Sequence, residues 1–205
     1  MLQKQSVGPQ LFKLLENLMK ISEFRNLYLV GGTSLALQIG HRESVDIDLF
    51  GKIELEEFEI SALINGLGNS ILINKSKNIS VYSIDGIKVD FVNYPYKWLE
   101  TPLCSEGLRL AGKKDIAAMK LNAIAGRGSK KDFIDLFFLL HEFSLGEMIK
   151  FYTEKYPAGS EFLVLKSLSW FEDADNEPDV KMLIKHNWTE MKQRIIKETT
   201  YYLKK

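Results

Sequence analysis

The chain has 205 residues, of which 45% are hydrophobic and 26% are charged, and its 27 basic side chains equal its 27 acidic ones in number. This composition is that of an ordinary soluble globular protein, long enough for one sizeable domain or two small ones. The even charge balance excludes a polycation that binds nucleic acid through its overall charge, so any such contact would need a local basic patch.

The cysteine and histidine content excludes two further kinds of site. The single cysteine, Cys104, cannot form a disulfide within the chain, which suits a reducing compartment. The three histidines, His41, His141 and His186, lack the spacing of metal ligands, which argues against a histidine-built zinc site. The first ten residues lack the apolar core of a signal peptide, and no stretch is apolar enough to cross a bilayer. We therefore expect a cytoplasmic protein with no membrane association.

Helices and short strands alternate at the start of the chain. Thr33, which follows a glycine pair, is expected to cap a helix that Gly40 ends. Apolar spacing assigns the elements in chain order: a helix at residues 11–19, a strand at 27–30, a helix at 34–39, a strand at 45–50 and a helix at about 54–65.

Three β-like runs come next, and the rest of the chain is helical in pattern. The runs are "SILINKS", "ISVYSI" and "IKVDFV", and Asp85-Gly86 between the last two is a strong hairpin signal. From about Lys113 the apolar residues recur with helical spacing. The sequence therefore predicts an α+β fold, with an α/β domain over residues 1–110 and a helical domain over residues 111–205.

Two aspartates on the predicted strand at 45–50 are the first candidates for chemistry. Asp46 and Asp48 are two residues apart, so on a strand both side chains project from one face. Two carboxylates so close repel each other, and a hard divalent cation such as Mg²⁺ relieves that repulsion through oxygen ligands. The alternative is a solvated strand edge that carries two surface acids.

A third acid lies in the middle of a strand. Asp90 is flanked by Val89 and Phe91, where a carboxylate is unfavourable without a partner. If this strand lies beside the 45–50 strand, Asp90 joins the other two carboxylates; otherwise it is a charged edge-strand residue. Asp85 is assigned no chemistry, because aspartate is common in such turns for conformational reasons.

The glycine pair before the aspartates is a candidate phosphate-binding turn. Gly31-Gly32 lets the backbone approach a bulky anion, the following helix directs N–H groups at it, and Thr33 and Ser34 add hydroxyl donors. The alternative is an ordinary strand-to-helix turn with a threonine cap. The dinucleotide motif GxGxxG and the Walker A motif are both absent from the sequence.

A basic cluster follows in the helical part. Lys120 stands in an Ala-rich apolar helix, and a Gly-Arg-Gly break places Arg127, Lys130 and Lys131 around one turn, where they could grip a triphosphate or an RNA backbone. The alternatives are a solvated loop between helices and an ion pair of Lys131 with Asp135, four residues apart.

Together these residues resemble the nucleotidyltransferase fold family, and within it the AbiEii/AbiGii-type toxins of type IV toxin–antitoxin systems. The resemblance rests on "LVGGTSLAL…HRESVDIDLF", on "VDF" and on "DIAAMKLNAIAGRGSKKDFIDL", and it covers about residues 27–140. It implies a nucleotidyltransferase-like mixed sheet with flanking helices, followed by a helical carboxy-terminal half. It also implies transfer of a nucleoside monophosphate from an NTP to an acceptor hydroxyl, with RNA or tRNA as the leading acceptor and a cognate antitoxin as a partner.

The resemblance also implies a role for each matching residue. Asp46 and Asp48 match the pair that binds the metal, Mg²⁺ or Mn²⁺, and Asp90 matches the third carboxylate of the metal site. In related enzymes this third carboxylate can also activate the attacking hydroxyl. The implied nucleotide-binding residues are Gly31, Gly32, Thr33, Ser34, Lys120, Arg127 and Lys131. The implied catalytic residues are Asp46, Asp48, Asp90, Lys120 and Asp132, with Asp135 as the alternative to Asp132.

Other functions remain open at this point. A DxD glycosyltransferase needs a nucleotide-binding region ahead of its aspartates. Only 45 residues precede Asp46, which argues against this enzyme class. A non-catalytic module that binds a nucleotide or a partner on the same scaffold would keep the same residues. Transfer of the nucleoside monophosphate to a protein is a third reading that the sequence does not separate from transfer to RNA.

Overall fold

The computed structural model describes residues 1–204, and the chain forms two compact units. The first unit comprises residues 1–96 and 102–111, and the second comprises residues 97–101 together with the chain from residue 112 onward. The short segment 97–101 therefore belongs to the second unit although the chain on both sides of it belongs to the first.

The first unit contains a mixed sheet with helices. Its helices are α1 (Pro9–Lys20), α2 (Gly31–Ile39) and α3 (Glu57–Ile64). Its strands are β1 (Leu27–Leu29), β2 (Ile47–Gly51), β3 (Ser70–Lys75), β4 (Ile79–Ile84), β5 (Ile87–Asn93), β6 (Leu103–Ser105) and β7 (Leu108–Leu110).

The strands of residues 1–204 form one seven-stranded sheet in the order β3-β4-β5-β2-β1-β7-β6. The β2–β5 and β1–β7 pairs are parallel, and the other pairs are antiparallel. Helix α1 buries the apolar stripe that its sequence spacing predicted, and this stripe joins a hydrophobic core with residues of the sheet and of α3. Burial alternates along β2 and β4, so one face of these strands belongs to the core.

The predicted hairpin is confirmed. Strands β4 and β5 are antiparallel, and Ile84 pairs with Ile87 across the turn. Asp85 and Gly86 both have positive φ angles, of 49° and 83°, which is the backbone of the two-residue turn that matches strand twist. The Asp85 carboxylate accepts a hydrogen bond from the Asn69 backbone N–H at 2.9 Å.

Three details differ from the sequence prediction. Helix α2 begins at Gly31, so the prediction that Thr33 caps a helix from Ser34 is wrong; the Thr33 hydroxyl bonds Ser44 and the Asp46 carbonyl instead. Helix α3 is shorter than predicted because a capping box at its amino terminus starts it at Glu57. Strands β6 and β7, of three residues each, were not predicted.

The second unit is helical, as the sequence predicted. Its helices are α4 (Lys113–Gly126), α5 (Lys130–Leu139), α6 (Leu145–Lys155), α7 (Glu161–Ser167), α8 (Glu172–Asp175) and α9 (Trp188–Leu203). Throughout residues 1–204, none of the helices has both the length and the apolar character that a membrane span requires.

A fully buried ion pair holds the segment 97–101 to the helices of the second unit. The Lys155 Nζ lies 2.6 Å from Asp115 Oδ1 and donates to the Lys97 carbonyl at 2.8 Å. Asp115 also accepts the Leu99 N–H at 3.0 Å. Burial lowers the pKa of the Lys155 ammonium, although its bonds to Asp115 oppose that shift. The pair therefore joins α4, α6 and the crossing segment in one network.

Replacing Lys155 by methionine leaves the Asp115 carboxylate buried without its cation. We expect Lys155→Met to lower the free energy of unfolding by about 3–5 kcal/mol, measured by urea denaturation. The matched control is Lys113→Met, which removes the more exposed ion pair with Glu142 and should cost at most about 1 kcal/mol. Equal losses in the two variants would contradict the special role of the buried pair.

Candidate active site

Asp48 and Asp90 lie side by side on neighbouring parallel strands. The two residues are direct register partners in the β2–β5 pair, so the strand of Asp90 lies beside that of Asp48, which the sequence left open. Ile47, Leu49, Val89 and Phe91 are buried in the core, so the two aspartates project from the opposite face of the sheet. Strand spacing of about 4.8 Å brings two carboxylates into one site.

Asp46 is held in place through its backbone. The Thr33 hydroxyl, which is buried, donates to the Asp46 carbonyl oxygen and shares a hydrogen bond of 2.8 Å with the Ser44 hydroxyl. Asp46 precedes β2, and its side chain is partly exposed. Helix α2 therefore fixes the backbone at the first aspartate through a contact with its carbonyl oxygen.

The glycine turn packs directly against Asp48. Gly31 has a φ of +65°, and a methyl group on it would lie 2.6 Å from Asp48 Oδ2. In addition, the Val30 N–H donates to the Asp48 carbonyl at 2.9 Å. Only glycine combines this backbone conformation with so close an approach. The turn and the second aspartate of the pair therefore form one unit of structure.

The other residues predicted to bind phosphate at this turn are buried. Thr33 and Ser34 are 1% and 0% exposed, and the Ser34 hydroxyl accepts a hydrogen bond from the Gln38 amide at 3.1 Å. Gly32 is buried as well, whereas Gly31 is partly exposed. The hydroxyls of Thr33 and Ser34 thus stabilise the turn from inside, and their contact with phosphate stays a prediction.

The third carboxylate, that of Asp90, forms an ion pair with Lys88 on the same strand. The Lys88 ammonium lies 2.6 Å from both Oδ1 and Oδ2 of Asp90. The Asp90 side chain is 18% exposed and that of Lys88 is 44% exposed. Since the two residues are two positions apart on β5, they share the face that also carries Asp48.

Carboxylate oxygens suit a magnesium or manganese ion whose coordination a substrate completes, and the metal itself stays a prediction. Within residues 1–204, no group of three or more His, Cys, Asp or Glu side chains is arranged to hold a metal by itself. Mg²⁺ in phosphoryl-transfer sites is held by one or two carboxylates together with water and substrate phosphates. Asp46 and Asp48 supply two such carboxylates, and their oxygens are the hard donors that this ion prefers.

In the second unit, Lys120 bridges two buried aspartates. The Lys120 ammonium lies 2.9 Å from Asp132 Oδ1 and 2.6 Å from Asp135 Oδ2, and all three side chains are at most 5% exposed. Both acids that the sequence left as alternatives therefore belong to one network. A nucleotide contact by Lys120 stays a prediction, and its present role is to neutralise the two carboxylates.

Asp132 also anchors an exposed arginine. Arg127 Nε and Nη2 donate to Asp132 at 2.8 and 3.2 Å, and the Ser129 hydroxyl donates at 2.7 Å. Burial alone would raise the pKa of Asp132, but the charges of Lys120 and Arg127 and their hydrogen bonds outweigh it and hold this pKa well below its usual range. Asp132 is therefore ionised at neutral pH. The Arg127 side chain is 62% exposed, so an anion can reach it.

The two neighbouring lysines have different surroundings. Lys130 is buried, donates to the Glu177 carbonyl at 2.7 Å and lies 3.2 Å from Asp179 Oδ1. It therefore belongs to the packing of the second unit. Lys131 is partly exposed at the start of α5, and the structure pairs Asp135 with Lys120. A phosphate contact by Lys131 stays a prediction.

Sequence reasoning missed three residues that shape these groups. Ser129 precedes Asp132 by three residues at the start of α5, a spacing typical of a helix amino terminus that signals the contact. Lys88 lies two residues before Asp90 on the same strand, but that spacing alone does not reveal an ion pair. Ser44 has no sequence signal, because its bond to Thr33 joins α2 to the chain ahead of β2.

The comparison with known proteins agrees with this geometry. The chain matches the family described as "Nucleotidyl transferase AbiEii toxin, Type IV TA system" over residues 13–202. It is 39% identical over 195 residues to an uncharacterized protein of Aquifex aeolicus (strain VF5), and the match covers 92% of this chain and 94% of that protein.

Two solved structures share the fold. MenT4, a nucleotidyltransferase toxin of Mycobacterium tuberculosis H37Rv, matches with a TM-score of 0.64 and 13% identity over 94% of this chain and 82% of that one. JHP933 from Helicobacter pylori matches with a TM-score of 0.58 and 14% identity over 94% and 88% of the two chains. At such identities the likeness concerns the fold alone, and it confirms the predicted nucleotidyltransferase-like α+β architecture. Because the family match spans nearly the whole chain, the protein belongs to the AbiEii family of type IV toxin–antitoxin nucleotidyltransferases and is itself a nucleotidyltransferase.

Proposed function

We propose that this nucleotidyltransferase moves a nucleoside monophosphate from an NTP to a hydroxyl of RNA, with tRNA as the first acceptor to test, and that it needs Mg²⁺ or Mn²⁺. The observation that carries the proposal is the register of Asp48 beside Asp90, with Asp46 two residues ahead and Gly31 packed on Asp48. This arrangement joins a carboxylate group to a turn that suits phosphate.

The carboxylates would hold the metal and orient the reacting groups. Asp46 and Asp48 are the proposed ligands, with Asp90 as the third carboxylate of the metal site, and the bound ion would neutralise charge that develops on the α-phosphate and on the leaving group. Asp90 is proposed to accept the proton of the acceptor hydroxyl, since it lies beside Asp48 on the same face of the sheet.

The proposed reaction balances without any oxidant or reductant. The acceptor oxygen forms a bond to the α-phosphorus as the bond between that phosphorus and the pyrophosphate oxygen breaks. The hydroxyl proton leaves to Asp90, and the products are the acceptor carrying a nucleoside monophosphate and free pyrophosphate. The fold supplies positioning and charge, which are the main protein contributions to such transfers.

Each unit, considered by itself, carries residues to which a phosphate contact is assigned. In the first unit the exposed edge of the turn is the Gly31 backbone, which lets a bulky anion come close. In the second unit Arg127 has an exposed guanidinium that Asp132 holds in place, and Lys131 is partly exposed beside it in sequence. Lys120 and Asp132 act as the support of Arg127.

The acceptor is assigned to RNA because the family consists of toxins and because the net charge of the chain suits contact with one end of a molecule. Both an NTP and tRNA occur in the cytoplasm, which is the proposed place of action. As a member of a toxin–antitoxin family, the protein has a nucleotide substrate and a cognate antitoxin.

The test is transfer of label from each of the four NTPs, labelled at the α-phosphate, to total tRNA in the presence of Mg²⁺. We expect one NTP to label tRNA, and Asp48→Asn to lower the rate roughly 100-fold, because a metal ligand is lost. Asp85→Asn is the matched control; it makes the same chemical change in the hairpin turn and should keep the full rate.

The outcomes separate the proposed function from its alternatives. Label on protein instead of tRNA would replace the RNA acceptor by a protein hydroxyl. NTP binding without label on any acceptor would indicate a non-catalytic module. Equal rates with and without a chelator of divalent cations would contradict the metal dependence.

A substitution at Gly31 tests the contact between the turn and Asp48. Gly31→Ala forces a left-handed backbone on alanine and places a methyl group against the carboxylate, so we expect the transfer rate to fall about tenfold or more. Gly86→Ala imposes a similar strain at a φ of +83°, but its methyl group would meet no atom within 4 Å among the described residues. A similar loss of rate in both variants would show that strain alone is responsible.

A further inference from the structure

The contact of Lys88 with Asp90 differs from an ordinary surface ion pair. One ammonium lies 2.6 Å from both oxygens of the carboxylate, so it makes two short charge-assisted contacts. The carboxylate is largely shielded from solvent at 18% exposure, whereas the lysine side chain is 44% exposed. The lysine thus covers the acid from the solvent side of the sheet face.

A metal ion and this ammonium need the same oxygens. A divalent cation binds a carboxylate through one or both oxygens, and both oxygens of Asp90 already contact Lys88 Nζ. Asp48 is the register partner of Asp90, so the positive charge of Lys88 also offsets the repulsion between the two carboxylates. Lys88 therefore supplies the charge that a metal would otherwise supply.

We propose that Lys88 is a positioning residue that acts as an internal counter-cation: its ammonium holds Asp90 in the metal-free protein and is displaced when the metal binds. Displacement is feasible because a flexible four-carbon chain carries the ammonium and a large part of it faces solvent. The consequence is that metal binds the free protein weakly, and that binding strengthens when the lysine is removed. This proposal rests on the metal dependence given under the proposed function.

The experiment is a titration of the full-length protein with Mn²⁺ in the absence of nucleotide, with the free ion measured by electron paramagnetic resonance. Lys88→Met should bind Mn²⁺ about five- to tenfold more tightly than the wild type, because the metal no longer competes with an ammonium. Lys88→Arg should bind like the wild type, because a guanidinium also contacts both carboxylate oxygens. The readout requires no catalytic turnover.

Two controls isolate the contact with Asp90. Lys52 forms an ion pair with Glu54, two residues away, and both side chains are more than 70% exposed. Lys52→Met changes the net charge equally and lies four residues past Asp48, just beyond the end of β2 and roughly 13 Å away along the chain, so it should change the affinity less than twofold. Adding Lys88→Met to Asp90→Asn should give no further gain over Asp90→Asn alone, because the shared carboxylate is then gone.

The Mn²⁺ affinities of the variants decide whether Lys88 acts as a counter-cation. Tighter binding in Lys88→Met, but not in Lys52→Met or Lys88→Arg, supports the counter-cation. Unchanged or weaker binding in Lys88→Met, with saturable binding in the wild type, overturns it and leaves the proposed function intact. An equal gain in Lys52→Met overturns it in favour of general electrostatics. No saturable binding in any variant overturns the counter-cation; the transfer assay with a chelator then decides the metal dependence, because substrate phosphates complete the proposed metal site.

Discussion

Asp48 and Asp90 are register partners on parallel strands, and the rest of the candidate site follows from that pairing. Two carboxylates at strand spacing repel each other, and each favours a nearby cation. The core residues on either side of them fix which face they occupy, so a shift of either strand by one residue would bury its acid. The fold thus holds two negative charges side by side on one face of the sheet, and a nearby cation is needed to balance them.

Contacts of α2 and of the glycine turn hold the backbone that carries these carboxylates in place. The buried Thr33 hydroxyl binds the chain at Asp46, and Gly31 lets the backbone lie against Asp48 where no other residue would fit. In the second unit, buried contacts likewise hold a charged side chain in place, and that charge is positive. Buried Asp132 is ionised because Lys120 and Arg127 outweigh the cost of burial, and it presents the exposed Arg127 in a fixed position.

The sequence predicts those parts of the fold and of the candidate site that one local sequence pattern determines. Asp85-Gly86 specifies a hairpin by backbone conformation, and an acid in mid-strand at Asp90 signals a compensating partner, which proves to be Lys88 on the same strand. Thr33 was assigned to a cap because its preference for that role is strong, but a buried bond to Ser44 and the Asp46 carbonyl prevailed. Such bonds depend on tertiary packing, as does the ion pair of Lys155 with Asp115, and one sequence does not reveal them.

The most direct test of the account is the position of the metal in a crystal grown with Mn²⁺ and a non-hydrolysable NTP analogue. We expect an anomalous-scattering peak about 2 Å from carboxylate oxygens of Asp46 and Asp48, with phosphate oxygens of the analogue completing the coordination. A well-ordered nucleotide with its metal bound to other residues, and with no contact to Asp46 or Asp48, would contradict the account.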